Sequence, residues 1–104
     1  MFIARVTGNV VTTQKVQKMT GRKLLIVEPM RVSGDQQSIA GNGLTLIAVD
    51  SVGAGTEDLV LVTQGSSARL TEDTGDAPVD CVVIGIVDAV SVMGKAVYRK
   101  DSSA

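Results

Sequence analysis

The chain has 104 residues, 10 basic and 11 acidic, for a formal charge of −1; that suits one domain and offers no general attraction to nucleic acid or to an anionic membrane. It has no histidine, no tryptophan and one cysteine, which removes the commonest neutral-pH base, any internal disulfide and the usual zinc ligand sets. With 44% apolar and 20% charged residues the chain is globular rather than disordered, and a domain this small buries only about two thirds of the surface its unfolded chain exposes, so leftover apolar surface is expected to be covered by oligomerisation.

The N-terminus reads as a strand. Phe2, Ala4, Val6, Gly8 and Val10 alternate with Ile3, Arg5, Thr7 and Asn9, the period of a half-buried strand with the first set facing the core. No targeting signal is visible there, because Arg5 and Asn9 interrupt the first apolar stretch. Residues 11–21 are polar, carry Lys15 and Lys18, and read as a long loop. Leu24-Leu25-Ile26-Val27 is apolar without alternation, a strand covered on both faces, by core on one side and a neighbour on the other. Pro29 lacks the N–H of a central ladder, so the end of that strand is expected to be an edge or a bulge. Residues 32–43, rich in glycine, read as a mobile polar connection.

Leu44 to Val49 is the next strand, stopped by Asp50-Ser51-Val52-Gly53-Ala54-Gly55. Leu59 to Val62 is another. Ser66 before Ala68 and Arg69 predicts one short helical turn near 66–69, and an acidic, turn-rich stretch follows from Thr71 to Pro78. Cys81 to Val92 reads as a long strand kinked at Gly85. Its uncharged run, Cys81 to Val87, is far short of the roughly 20 residues that span a bilayer, so a soluble chain is expected. Met93-Gly94 turns the chain into Lys95 to Tyr98, and residues 100–104 are a polar tail on a domain of residues 1–99. Five to six short strands with glycine-rich connections and one helical turn predict an all-β fold: a small closed barrel of the OB kind.

Catalytic chemistry is scarce. Cys81 lies in an apolar run and reads as a small hydrophobe. Gly53-Ala54-Gly55 is followed by Thr56-Glu57-Asp58 and a strand, where a phosphate loop needs a lysine and a helix. Gly65-Ser66-Ser67-Ala68-Arg69 has Arg69 where a nucleophile elbow needs glycine; it reads as a capped turn whose arginine is free to pair with a carboxylate, across a subunit boundary for example. Asp50, Glu57, Asp58, Asp80 and Asp88 flank strands and read as solvated. No catalytic, cofactor or metal site is predicted. The alternative for a barrel of this kind is a nucleic-acid or small-ligand binding module, which uses aromatic platforms and a basic groove. Only Phe2 and Tyr98 are aromatic, and Phe2 falls on the predicted core face; Lys15, Lys18, Arg22 and Lys23 form a modest basic cluster. An enzyme using carboxylates alone would need two acids close together and buried.

Three blocks carry a resemblance: GNVVTTQKVQKMTGRKLLIV over residues 8–27, AVDSVGAGTEDLVLVTQGSSAR over 48–69 and PVDCVVIGIV over 78–87. In this order and at these distances they resemble the bacterial microcompartment vertex family, also called the EutN/CcmL family. The resemblance implies an OB-like barrel without catalytic activity that needs no cofactor. It implies assembly with itself, mainly as a homopentamer, at the vertices of a shell in the bacterial cytoplasm whose facets are tiled by hexameric shell proteins. By the same resemblance Asp50, Ser51, Val52, Gly53, Ala54 and Gly55 match a family stretch expected near the ring's central axis or at a subunit contact. Gly65, Ser66, Ser67, Ala68 and Arg69 are a second expected interface. Where Glu57 stands, family members commonly have glycine, a departure that bears on the backbone of that turn.

Overall fold

The computed structural model describes residues 1–12, 23–35, 37–65 and 80–100. They form eight strands: β1 (Phe2–Val10), β2 (Lys23–Val32), β3 (Ile39–Gly41), β4 (Leu46–Asp50), β5 (Leu59–Gln64), β6 (Cys81–Ile86), β7 (Ala89–Val92) and β8 (Lys95–Arg99). Five of them close a barrel in the order β1-β5-β6-β4-β2 and back to β1. All barrel contacts are antiparallel except β4 with β6, where Val49 and Asp50 lie beside Val82 and Val83. This is the expected all-β, OB-like closed barrel. The predicted helical turn near 66–69 lies outside the described residues.

Five strands enclose a narrow space, and small or β-branched side chains fill it. Ala4, Val6, Leu25, Val27, Ala48, Ala54, Val60, Val62 and Val83 are buried together, with Phe2, Leu46, Cys81 and Ile86 packed around them. Phe2 therefore belongs to the core, as its sequence position implied.

Four expectations need correction. First, β1 does not keep one face throughout. A β-bulge shifts its register against β2, so that Val6 pairs with Val27, but Gly8 pairs with Ile26 and Val10 with Leu24. Directly opposed residues share a face, so Gly8 and Val10 join Ile26 and Leu24 on the outside while Val6 stays with Val27 inside. Second, β2 runs through Pro29 to Val32. The proline is tolerated because β2 changes partner there: Lys23–Val27 pair with β4, and Met30–Val32 with β3. Third, residues 32–43 include β3, which extends the sheet beyond the barrel. Fourth, Cys81 to Val92 is two strands in two sheets, β6 in the barrel and β7 paired only with β8. The irregularity predicted at Gly85 is a bulge beside it: Leu61 pairs with Gly85 but Val62 with Val83, leaving Ile84 as the extra residue.

The bulge in β1 is testable by a matched pair of substitutions. Val6→Thr buries a hydroxyl inside the barrel and is expected to cost about 2 kcal/mol. Val10→Thr, on the outer face, is expected to stay within about 0.5 kcal/mol of the parent. Denaturant unfolding of both variants reads the difference.

Candidate assembly surface and the loop that caps the barrel

The segment from Asp50 to Asp58 closes one end of the barrel. At the end of β4, Oδ1 of Asp50 accepts the N–H groups of Val52 at 2.9 Å and Gly53 at 3.0 Å, the side-chain-mimicked turn that aspartate favours. Gly53 has φ 83 with open space where a side chain would stand. Its glycine is thus required by backbone conformation and not by crowding. The chain then drops Ala54 into the barrel mouth, fully buried in the core cluster. Ala54 shares that cluster with Ala4 and Val6 of β1. Beyond it the N–H of Gly55 donates to Oδ2 of Asp58 at 2.8 Å, and the N–H of Asp58 returns to the carbonyl of Gly55 at 3.0 Å.

Three barrel strands hold this cap. From β2, Lys23 Nζ donates to the Ala54 carbonyl at 2.8 Å and lies 3.7 Å from Asp50 Oδ2. From β6, the Val83 carbonyl accepts the Ser51 hydroxyl at 2.6 Å. On β1, the Val6 carbonyl accepts the Glu57 N–H at 2.7 Å and the Val6 N–H donates to Asp58 at 2.9 Å, while Arg5 Nη1 donates to the Glu57 carbonyl at 3.2 Å. Lys23 is thereby committed to the cap and is not part of a free basic cluster; Lys15, Lys18 and Arg22 lie outside the described residues.

Of the six residues singled out in this loop, Val52 and Gly53 are the pair presented to solvent; Ala54 is buried, and Asp50, Ser51 and Gly55 are half-buried. In the second candidate segment, Gly65 is exposed at φ 70 and its N–H donates to the Asp80 carbonyl at 2.8 Å. Ser66, Ser67, Ala68 and Arg69 lie outside the described residues.

The register also brings together a surface that the motifs did not single out. On the outer face Val10 stands beside Leu24, Leu24 beside Val49, and Val49 beside Val82, a row across β1, β2, β4 and β6. A second row pairs Gly8 with Ile26 and Ile26 with Ile47. Val49 and Val82 are buried in a cluster of their own with Leu24 and Ile84. The stripe then runs out to solvent, since Ile47 is 49% exposed and Leu44 60%. A half-exposed Ile47 continuing a covered apolar row is what a partner surface leaves on an isolated subunit. The unbroken apolar run at residues 24–27 signalled such a second covered face, but its continuation onto β1 depended on the bulge beside Gly8.

Catalytic groups do not converge. Among the described residues no three His, Cys, Asp or Glu side chains are grouped to hold a metal. Burial, with the neighbouring charge of Asp80, pushes the Cys81 thiol above its ordinary pKa, so at neutral pH it is a protonated, poor nucleophile.

Glu57 explains the glycine expected at its position. It sits at φ 74, a left-handed conformation that costs an L-residue about 1–2 kcal/mol. Glycine there carries about 0.5–1 kcal/mol more backbone entropy to lose. Glu57→Gly is therefore expected to stabilise the fold by about 0.5–1 kcal/mol, and Gly53→Ala to destabilise it by about 1–2 kcal/mol. Thermal unfolding of the two variants should shift in opposite directions.

Comparison with known proteins agrees with this architecture. The family model described as "Ethanolamine utilisation protein EutN/carboxysome" matches residues 1–88. The bacterial microcompartment shell vertex protein PduN of Salmonella typhimurium is 45% identical over 91 residues, 88% of this chain and 99% of that protein. The structure of CcmL from Gloeobacter violaceus superposes with a TM-score of 0.88 at 39% identity, covering 98% of this chain and 100% of that one. The pentameric microcompartment shell protein GrpN from Rhodospirillum rubrum gives a TM-score of 0.71 at 37% identity, covering 88% and 98%. The fold, the barrel order and these matches lead to one assignment: the chain belongs to the EutN/CcmL family.

Proposed function

We propose that this chain is a structural subunit of a bacterial microcompartment shell, assembling with itself into a pentameric ring that caps the vertices. Relatives named as shell vertex proteins support the role, and the pentameric GrpN supports the ring. The observation that carries it to this molecule is the apolar stripe on the outside of the barrel, which ends in the half-exposed Ile47. One barrel has no use for a second apolar face, whereas a ring of copies does.

The geometry of a shell explains the need. A sheet of six-fold tiles stays flat, and closing it into a polyhedron takes five-fold units at the corners. A ring forms when one patch on each copy meets a different patch on the next and the rotation closes. The facet partners are then hexameric shell proteins, and the location is the shell within the bacterial cytoplasm. In this reading the Val52-Gly53 tip of the cap faces the ring axis or a subunit contact, with Asp50, Ser51, Ala54 and Gly55 holding it in shape. Gly65 to Arg69 is the second contact.

The role is not enzymatic and does not involve nucleic acid. With no histidine in the chain and a protonated Cys81, the usual nucleophile-base pairs have no members. Single-strand binding needs stacking platforms, but Phe2 is packed on the core and Tyr98 is half-buried.

Native mass spectrometry of the full chain is expected to give a mass five times that of the subunit. Ile47→Asp places a charge on the outer stripe without touching the barrel interior. It is expected to keep cooperative unfolding but to release monomers at concentrations where the parent is a ring. A parent that stays monomeric overturns the proposal.

A further inference from the structure

The glycine-rich end of β3 is arranged around one carboxylate. Glu28, half-buried on β2, reaches over Gly41, where a Cβ would overlap its carboxylate group. Arg5 stands opposite Glu28 in the register, yet its Nη1 donates to the Glu57 carbonyl. Oε2 of Glu28 accepts the N–H of Gly43 at 3.1 Å. Gly43 has φ 81 with open space beside it, and Asn42, between the two glycines, is exposed. The N–H of Asn42 ties the loop to β2 by donating to the Pro29 carbonyl at 3.2 Å. Its side-chain Oδ1 accepts the Leu44 N–H at 3.0 Å.

Asparagine before glycine carries a latent reaction. The backbone nitrogen of the second residue can close on the side-chain amide carbon of the first, and glycine puts no Cβ in the way. Both groups that help the closure are in place here. A base must reach the nitrogen's proton at hydrogen-bond distance, and Glu28 Oε2 does so. Oδ1 takes up negative charge as the tetrahedral centre forms, and an N–H donor already aimed at it stabilises that charge. The Leu44 N–H is that donor. The other asparagine of the chain, Asn9, lies within β1 and precedes the β-branched Val10, so it has neither the freedom nor the open approach.

We propose that Asn42 is a self-modifying position, converted to aspartate and isoaspartate by its own loop with Glu28 as the base. The Gly43 nitrogen gives its proton to Glu28 and forms a bond to Cγ of Asn42. The Cγ–Nδ2 bond breaks, the proton passes from Glu28 to the leaving nitrogen, and ammonia departs. Water then opens the cyclic imide. Cleavage of the new N–Cγ bond gives aspartate; cleavage on the other side of that nitrogen gives isoaspartate, with Cγ in the main chain. No oxidant or reductant takes part. Either product makes the chain one charge more negative beside Glu28, and the isoaspartyl form lengthens the backbone just ahead of the exposed Leu44. The reaction belongs to the subunit and does not depend on the ring proposed above.

Trypsin releases Asn42 in the peptide of residues 32–69, apart from Asn9. The full chain is held at neutral pH and sampled over time. Mass spectrometry of that peptide reads the exchange of amide for acid, and labelling by a protein-isoaspartate methyltransferase counts the isoaspartyl form. Asn42 in the folded chain is expected to convert about tenfold faster than in the free 32–69 peptide in the same buffer, while Asn9 stays intact. Glu28→Gln can still accept the Gly43 N–H but is no base, and is expected to slow the folded chain about tenfold. Gly41→Ala pushes the carboxylate off the loop and is expected to slow it as well. Thermal unfolding establishes that both variants are folded. A folded-chain rate at or below that of the free peptide overturns the proposal, because the hydrogen bonds then guard the site. A folded Glu28→Gln chain that converts as fast as the parent overturns it too. The ratio of folded chain to free peptide needs no variant, so it decides the matter if neither substitution folds.

Discussion

The number of strands in the barrel sets everything else. Five strands curl around a space that one layer of alanine and valine fills, with Leu25 the largest side chain wholly inside the cluster. The chain nevertheless puts apolar residues at consecutive positions on β2, β4 and β6. Consecutive strand residues point to opposite faces, so half of them must stand outside. Val10, Leu24, Ile26, Ile47, Val49 and Val82 are that half. Val49 and Val82 are already buried against Leu24 and Ile84 within the subunit, and Ile47, half exposed, is what remains for a second molecule to cover.

The same narrowness governs the barrel's end. A wide mouth would need a helix or a large side chain as its lid. Here one alanine suffices, provided the loop bearing it is held down on several sides. Lys23, Ser51 and the Val6 backbone supply the ties, and Asp50 and Asp58 shape the two turns on either side of the plug. These side chains have intramolecular duties. What the loop presents to a neighbour comes from its exposed residues, Val52 and Gly53 in the first turn and Thr56 and Glu57 in the second. The strained backbone of Glu57 follows the plug, with its N–H committed to β1 and its residue exposed.

Much of this was legible from residue order. Alternation marked β1, unbroken apolar runs marked the other barrel strands, and the double-sided run at Leu24 to Val27 marked the outer face. The absence of histidine and the scarcity of aromatics removed the competing chemistries. The illegible parts share a cause: pairing between distant strands decided them. The bulge in β1 falls beside Gly8, a glycine inside a strand that is a bulge signal but reads equally as one more member of an unbroken alternation. β3 is three residues that gain strand geometry only by lying against β2. The break at Val87-Asp88 coincides with the one charge between Cys81 and Val92, but a single aspartate does not distinguish the end of a strand from an outward position within one. In the cap, the spacing of Asp50 and Gly53 suggested a tight turn, but Ala54 as a plug emerges only when the loop is folded onto the mouth.

A subunit built this way faces a problem of specificity. An apolar stripe attracts any apolar surface, and a valine-rich barrel flank has little to distinguish right from wrong partners. A symmetric flank-to-flank contact would end at a dimer, whereas a contact between two different patches propagates. A ring is what remains when each copy offers its neighbour a different face from the one it receives.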